Sequence, residues 1–180
     1  LLDIANEYGN HPAFWGIELL NEPLVTTRRQ RWQLWWWTRK TSRKLRAQLP
    51  SHVRIVVSDC YQPAWWSGRI GNNTLDIHHY QCFSDTDNQA TSLTHHRQVL
   101  DQQSSKYRGY ARQQPLIIGE WSAALPPRTA SDSNEYTHCQ SQLAVPSGVD
   151  AWFYWSYKTE NTGAWNFRDC YSKGWFDGMY

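Results

Sequence analysis

The chain has 180 residues, a length that fits one domain, and its 40% hydrophobic content can supply a core. Its formal net charge of only +2 favours neither nucleic acid nor an anionic membrane as a partner, and no apolar run approaches the roughly 20 residues that span a bilayer. The aromatic content is unusual, with 12 Trp and 10 Tyr. Their flat faces and polar edges suit sugar rings, although most of the tryptophans are expected to fill the core.

Apolar runs bounded by turn residues predict five short buried strands. In chain order, these predicted strands are 14–20, 53–58, 75–81, 116–120 and 151–157. The segments around them predict four helices, at 1–8, 28–49, 94–112 and 133–143. The tail from 159 to 180 is rich in Gly and aromatic residues and is expected to be irregular. Strands that alternate with helices indicate parallel βαβ units, whose polar residues gather past the strand ends.

Two glutamates follow apolar runs, at the points where buried strands are predicted to end. Glu22 lies in Asn21-Glu22-Pro23, and Glu120 lies in Gly119-Glu120-Trp121, where the Trp could shield the carboxylate from water. A carboxylate at the end of a buried strand is costly unless it has a partner. Hydrolysis of a glycosidic bond requires two carboxyl groups, so the pair suggests this chemistry. The alternatives are an ordinary turn at Glu22 and an Arg partner for Glu120.

The third predicted strand ends in a polar segment, residues 76–83. Alternation along a strand places His78, Tyr80 and Cys82 on one face, and His79 and Gln81 on the other. A Tyr hydroxyl beside a carboxylate can keep it ionised as a nucleophile. Adjacent histidines on opposite faces make a metal site unfavoured, whereas a purely structural His pair remains an alternative.

The last predicted strand is aromatic, and alternation places Phe153, Trp155 and Tyr157 on one face. Trp155, near the strand end, could form the floor of a sugar subsite. The alternative is that the aromatic residues are core, which we expect for Trp152 and Phe153. The basic and aromatic segment at 28–44 is expected to be the solvated outer face of a helix rather than a contact for nucleic acid.

The cysteines indicate a setting rather than a site. The chain has four cysteines, Cys60, Cys82, Cys139 and Cys170. No two of them form a CxxC pattern, which argues against a zinc site or a thioredoxin-like motif. Their disulfide pairing is left open by the sequence. Asn72-Asn73-Thr74 is a possible glycosylation sequon. Together these features favour an oxidising, secreted setting.

Taken together, these motifs resemble glycoside hydrolase family 5, in particular its fungal exo-β-1,3-glucanase branch. The similar segments occur in one order and cover nearly all of the chain; they are Asn21-Glu22-Pro23, 58–63, 76–84, Gly119-Glu120-Trp121 and 153–161. The resemblance implies an α/β fold, the (β/α)8 TIM barrel, of which this chain would carry strands 4 to 8. Residues 1–180 would then be a single catalytic domain that is truncated at its N-terminus, and we expect the isolated chain to be inactive.

The resemblance also implies a retaining mechanism, with Glu22 as general acid/base and Glu120 as nucleophile. Further residues would bind the sugar or the nucleophile; they are Asn21 at the 2-hydroxyl, His78 at sugar hydroxyls, Tyr80 at the nucleophile, and Phe83 and Trp155 as subsite walls. The expected protein is a secreted or cell-wall-associated monomer that releases glucose from β-1,3-glucan without a cofactor or metal. A β-1,4-glucanase, a β-glucosidase and a non-catalytic carbohydrate-binding protein remain alternatives.

Overall fold

The computed structural model of the chain describes residues 1–145 and 148–178. It contains five strands, which are β1 (Gly16–Glu18), β2 (Arg54–Ser58), β3 (Thr74–His79), β4 (Leu116–Trp121) and β5 (Ala151–Tyr154). The helices are α1 (Leu2–Tyr8), α2 (Arg28–Arg46), α3 (Pro63–Trp66), α4 (Asp85–Gln89), α5 (Leu93–Ala111), α6 (Asp132–Leu143) and α7 (Phe167–Ser172).

The five strands are parallel and form one sheet in sequential order, β1-β2-β3-β4-β5. Ile17 is level with Ile55 on β2, and Val57 is level with Leu75 on β3. Helical connections between sequential parallel strands are the arrangement of a (β/α)8 barrel, of which five strands form a part. The predicted fold class is therefore confirmed.

The chain forms two compact units. Unit 1 comprises Leu1–Ile77 with Tyr110–Ile117, and unit 2 comprises His78–Gly109 with Ile118–Tyr180. β3 and β4 therefore each begin in unit 1 and end in unit 2. The description of 1–180 as a single domain stays a prediction.

Unit 1 is built on β2 and the long helix α2. A capping box starts α2, since the Thr27 side chain accepts from the backbone of Gln30 and the Gln30 side chain accepts from the backbone of Thr27. The helix buries few residues, among them Leu45, while Trp36 is 63% exposed, as expected for a solvated outer helix. The core of this unit includes Ile55 of β2, Val53 just before it, and Trp66 of α3.

Unit 2 contains α6, α7, β5, most of α5 and the ends of β3 and β4. Side-chain caps start two of these helices, at Ser131 before α6 and at Asn166 before α7. The prediction of an irregular tail is wrong, because Asn166 and Asp169 form the cap of the six-residue helix α7. A helix this short carries too little periodicity to be recognised from hydrophobic pattern, and α3 and α4 were missed for the same reason.

Two further expectations change in the structure. Phe153 is 50% exposed, so its assignment to the core is wrong. All four cysteines lie in the described part of the chain and carry free thiols, so they provide no disulfide support for an oxidising setting.

Within residues 1–145 and 148–178, no helix is both long and apolar enough to cross a bilayer.

Candidate active site

Glu120 lies near the end of β4, where three buried residues, 116–118, give way to half-buried ones. Its side chain is 14% exposed. The Tyr80 hydroxyl donates to Glu120 Oε2 at 2.7 Å, and His78 Nδ1 lies 3.4 Å from the same oxygen. These two contacts fix the direction in which the Glu120 carboxylate points. Unit 2 therefore presents a carboxylate of the kind that can act as a nucleophile.

Strand alternation explains why His78 and Tyr80 both reach Glu120, because residues two apart on an extended segment share a face. The intervening residues point to other partners. The Tyr107 hydroxyl lies 2.7 Å from His79 Nδ1, and Gln81 Nε2 lies 3.3 Å from His79 Nε2. Burial lowers the pKa of His79 to about 4, so this imidazole is neutral near pH 7. One side of the segment is thus held by a buried polar network.

Aromatic rings flank Tyr80. The Phe83 ring packs edge-on at 5.3 Å, and the Trp165 ring lies at 5.6 Å. Phe83 is 68% exposed, so much of its face is open to a ligand. Trp165 is not among the predicted site residues, because it lies in the tail that was expected to be irregular. The signal in the sequence is a single Trp among Gly and polar residues.

Trp155 follows β5 directly, and its backbone N–H donates to the carbonyl oxygen of Trp121 at 2.7 Å. Its side chain is 52% exposed, like that of Phe153. Trp121 does not shield Glu120 as expected. Its ring is buried and packs against Trp152 and Tyr154 instead, because consecutive strand residues point to opposite faces.

Glu22 lies in unit 1, in the segment that follows β1. Leu19 directly follows β1, and its N–H donates to Val56 O at 3.1 Å. Glu22 itself is half-buried with φ +42°, a left-handed conformation that side chains other than Gly rarely adopt. Asn21 beside it is exposed. Backbone strain of about 1–3 kcal/mol at such a residue is common where function requires one side-chain direction.

The end of β2 carries a similar feature in unit 1. Cys60 and Tyr61 have φ values of +51° and +57°, and the Tyr61 N–H donates to Asp59 Oδ1 at 2.9 Å. Tyr61 is 58% exposed. This segment belongs to the motif set, yet no role was assigned to Tyr61 from sequence. Only the positive φ values, which sequence does not reveal for residues other than Gly, distinguish it.

The chain was compared with known proteins. It is 26% identical to the glucan 1,3-β-glucosidase of Yarrowia lipolytica, over an alignment that covers 98% of this chain and 52% of the relative. A probable glucan 1,3-β-glucosidase A of Emericella nidulans is 24% identical, with 89% of this chain and 49% of the relative covered. The chain is a distant relative of the fungal glucan 1,3-β-glucosidases. It spans about half the length of the curated relatives that it matches.

A solved structure and the models of known protein families provide two further comparisons. The structure of a β-glucuronidase from Faecalibacterium prausnitzii superposes with a TM-score of 0.60 at 15% identity, covering 88% of this chain and 28% of the other. At that identity the likeness shows the fold alone. No model of a known protein family matches the chain. The relation to the fungal glucosidases therefore rests on the pairwise similarities and agrees with the barrel-type fold.

Proposed function

We propose that this chain carries both catalytic carboxylates of a retaining β-glucan hydrolase, most specifically a glucan exo-1,3-β-glucosidase. The observation that carries the proposal is the Glu120 carboxylate, with the Tyr80 hydroxyl and the His78 imidazole both directed at Oε2. A carboxylate that is oriented in this way is suited to attack a sugar carbon. The distant relationship to fungal glucan 1,3-β-glucosidases supports the same reading.

Glu22 is the proposed partner of Glu120. In parallel α/β sheets, the catalytic groups gather at the carboxyl ends of the strands. Glu22 follows the end of β1 and Glu120 lies near the end of β4, two strands of one sheet. For a retaining mechanism, the two carboxyl groups should lie about 5 to 5.5 Å apart.

The proposed reaction is a double displacement. Glu120 attacks the anomeric carbon while Glu22 donates a proton to the leaving oxygen, which breaks the glycosidic bond and leaves a glycosyl ester on Glu120. Glu22, now ionised, takes a proton from a water molecule, and that water releases the sugar and regenerates the Glu120 carboxylate. Tyr80 would stabilise the carboxylate before attack and after release.

The substrate side of the proposal combines an exposed Asn21 with His78, whose side chain is 2% exposed, and with two aromatic residues. Asn21 would contact the 2-hydroxyl, His78 would contact other sugar hydroxyls, and Phe83 and Trp155 would form subsite walls. Both aromatic residues are more than half exposed, as a stacking surface requires. A β-glucan is too large to enter a cell, so a secreted or cell-wall-associated protein would meet this substrate.

Exposed aromatic faces also favour a second candidate, a non-catalytic carbohydrate-binding protein, because stacking alone can retain a glucan. Phe153, Trp155 and Tyr157 are each at least half exposed. This candidate needs no attack by Glu120. It therefore predicts binding of laminarin with no release of glucose.

The test uses the 180-residue chain alone and the chain mixed with the part of the Yarrowia lipolytica relative that the alignment leaves uncovered. Laminaritriose, cellotriose and an aryl β-glucoside serve as substrates, and the first-formed anomer is read by NMR. We expect the mixture to release glucose from laminaritriose as the β-anomer, since two displacements retain configuration. Initial release of α-glucose would refute retention, preference for cellotriose would refute the β-1,3 assignment, and laminarin binding without hydrolysis would favour the second candidate.

A further inference from the structure

Unit 2 contains a group of metal-type ligands away from Glu120. Atoms from Asp87, His95 and His96, one from each side chain, all lie within 4.8 Å of one another. Asp87 belongs to α4, and the two histidines belong to the first turn of α5. We propose that these three residues bind a divalent transition metal ion, with zinc as the best match. The donor set of two imidazoles and one carboxylate is one that zinc accepts.

Asp87 is held in a suitable orientation. Its Oδ2 accepts a hydrogen bond from Ser84 Oγ at 2.5 Å, and the Asp87 N–H donates to the same Oγ at 3.1 Å. Its Oδ1 faces His95, whose Nε2 lies 3.1 Å away. Two donor atoms that each lie about 2.0–2.2 Å from one zinc ion are separated from each other by a distance similar to that between His95 Nε2 and Asp87 Oδ1. A metal could therefore replace the His95–Asp87 contact with little side-chain movement.

His96 is fixed whichever nitrogen binds the ion. Nδ1 lies 3.0 Å from Gln81 Oε1, and Nε2 lies 3.3 Å from Thr129 Oγ1. One of these contacts would yield to the metal, and the other would keep orienting the ring. Metal-bound histidines commonly have such a hydrogen-bond partner on the second nitrogen.

Thr129 can lose its His96 contact at low cost, because its single hydroxyl proton has another acceptor, the carbonyl of Pro126, at 3.2 Å. A neighbouring group also points to a polar ligand in this region. His138 packs its ring 5.7 Å from that of His96, is 2% exposed, and has an Nε2 atom with no hydrogen-bond partner. Buried unsatisfied polar atoms are uncommon and often mark an ion or water.

Access comes from His95, whose side chain is 28% exposed while that of Asp87 is 10% exposed. The ion would connect α4 to α5 across the short segment 90–92. Phe83 and Ser84 directly precede α4, so this connection would also stabilise the loop that presents Phe83. Three protein ligands leave the fourth position on zinc to water, and the inferred binding does not depend on the proposed hydrolysis.

The test is titration of the 180-residue chain with zinc alone, followed by calorimetry, and with cobalt alone, followed by visible absorption. We expect one ion per chain, and an intense cobalt spectrum characteristic of low-coordinate nitrogen and oxygen ligation. His95→Asn and Asp87→Asn should each weaken zinc binding at least ~10-fold, the lower end of what even supporting residues contribute at metal sites. His95 is partly exposed, so its replacement should leave the fold intact, which circular dichroism checks.

Three control variants locate the ion. His11→Asn and His52→Asn remove exposed histidines and should leave binding unchanged. His78→Asn removes the imidazole beside Glu120 and should also leave it unchanged. Binding that survives both His95→Asn and Asp87→Asn would overturn the proposal, as would binding that is lost in His78→Asn, since the ion would then lie elsewhere.

Discussion

The two proposed catalytic carboxylates are positioned by different means. Glu120 lies in a regular strand, and side chains from the neighbouring segment, Tyr80 and His78, direct hydrogen-bonding groups at one of its oxygens. Glu22 lies beyond its strand, in a backbone conformation with φ +42°. The first is controlled by side-chain chemistry and the second by backbone geometry. A nucleophile must stay ionised and oriented, whereas an acid/base must be directed at the leaving oxygen, and the two arrangements suit these tasks.

The largest expected effect separates the two roles. In the complemented chain, Glu120→Gln should lower kcat/KM for every β-glucoside by at least ~10³-fold, because no group remains to attack the sugar carbon. Glu22→Gln should lower kcat/KM by a similar factor, but only for substrates whose leaving group is poor. A dinitrophenyl glucoside needs no proton, so that variant should still form the glycosyl ester in a rapid burst. Equal behaviour of the two variants on both substrates would contradict the assignment.

Tyr80→Phe tests the side-chain control of Glu120. Loss of the 2.7 Å hydrogen bond should lower kcat about 10- to 100-fold with little change in KM, because the bond acts on the nucleophile rather than on substrate binding. Tyr157→Phe is the matched control, since Tyr157 is an exposed tyrosine of the same unit. An unchanged kcat in Tyr80→Phe would remove Tyr80 from the mechanism.

The buried histidines near the Tyr80 segment predict a pH dependence of stability. Burial lowers the pKa of His79 to about 4 and that of His138 to about 3, compared with the ordinary 6.5. Between these pKa values and 6.5, the unfolded chain binds more protons than the folded chain. The free energy of unfolding is therefore highest above about pH 6.5 and decreases as the pH falls towards 4 and 3. The free energy of unfolding should fall by at least ~1 kcal/mol between pH 7 and pH 4.

Denaturant unfolding followed by circular dichroism measures this change. Variants His11→Asn and His52→Asn, at exposed positions, should show the same slope with pH as the parent chain. A free energy of unfolding that stays constant from pH 7 to pH 4 would show that the buried histidines are not kept neutral by the fold.

The smallest effect tests the backbone control of Glu22. Glu22→Gly should raise the free energy of unfolding by about 0.5–1 kcal/mol relative to Glu22→Ala, because only Gly adopts φ +42° without strain. Both variants remove the carboxylate, so their difference isolates the backbone. Urea unfolding curves give the measurement, and equal stability of the two variants would show that the conformation is not strained.

Sequence pattern predicted the elements that have long apolar signals. The strands around Val57, Leu75 and Ile118 and the helix α2 agree with expectation because burial on both faces and 3.6-residue periodicity leave clear traces. The short helix α7 was missed because six residues give almost no periodicity. Alternation predicted that His78 and Tyr80 share a face, and the family resemblance implied Tyr80 at the nucleophile; the contact of His78 with Glu120 was not predicted.

Other features could not follow from pattern. The left-handed conformations of Glu22, Cys60 and Tyr61 leave no mark in the sequence, because residues other than Gly adopt them only when the surrounding structure imposes them. The group of Asp87, His95 and His96 joins two helices, one of which was not predicted. Trp165 depends on how the tail folds back against Tyr80.

The most direct measurement is covalent trapping by an activated 2-deoxy-2-fluoroglucoside. The chain is first complemented with the part of the Yarrowia lipolytica relative that the alignment leaves uncovered. The fluorine slows release of the glycosyl ester, so the labelled residue can be identified by peptide mass spectrometry. The account predicts one label per chain, on Glu120, and none in Glu120→Gln. A label on Glu22, or hydrolysis without any trapped ester, would contradict it.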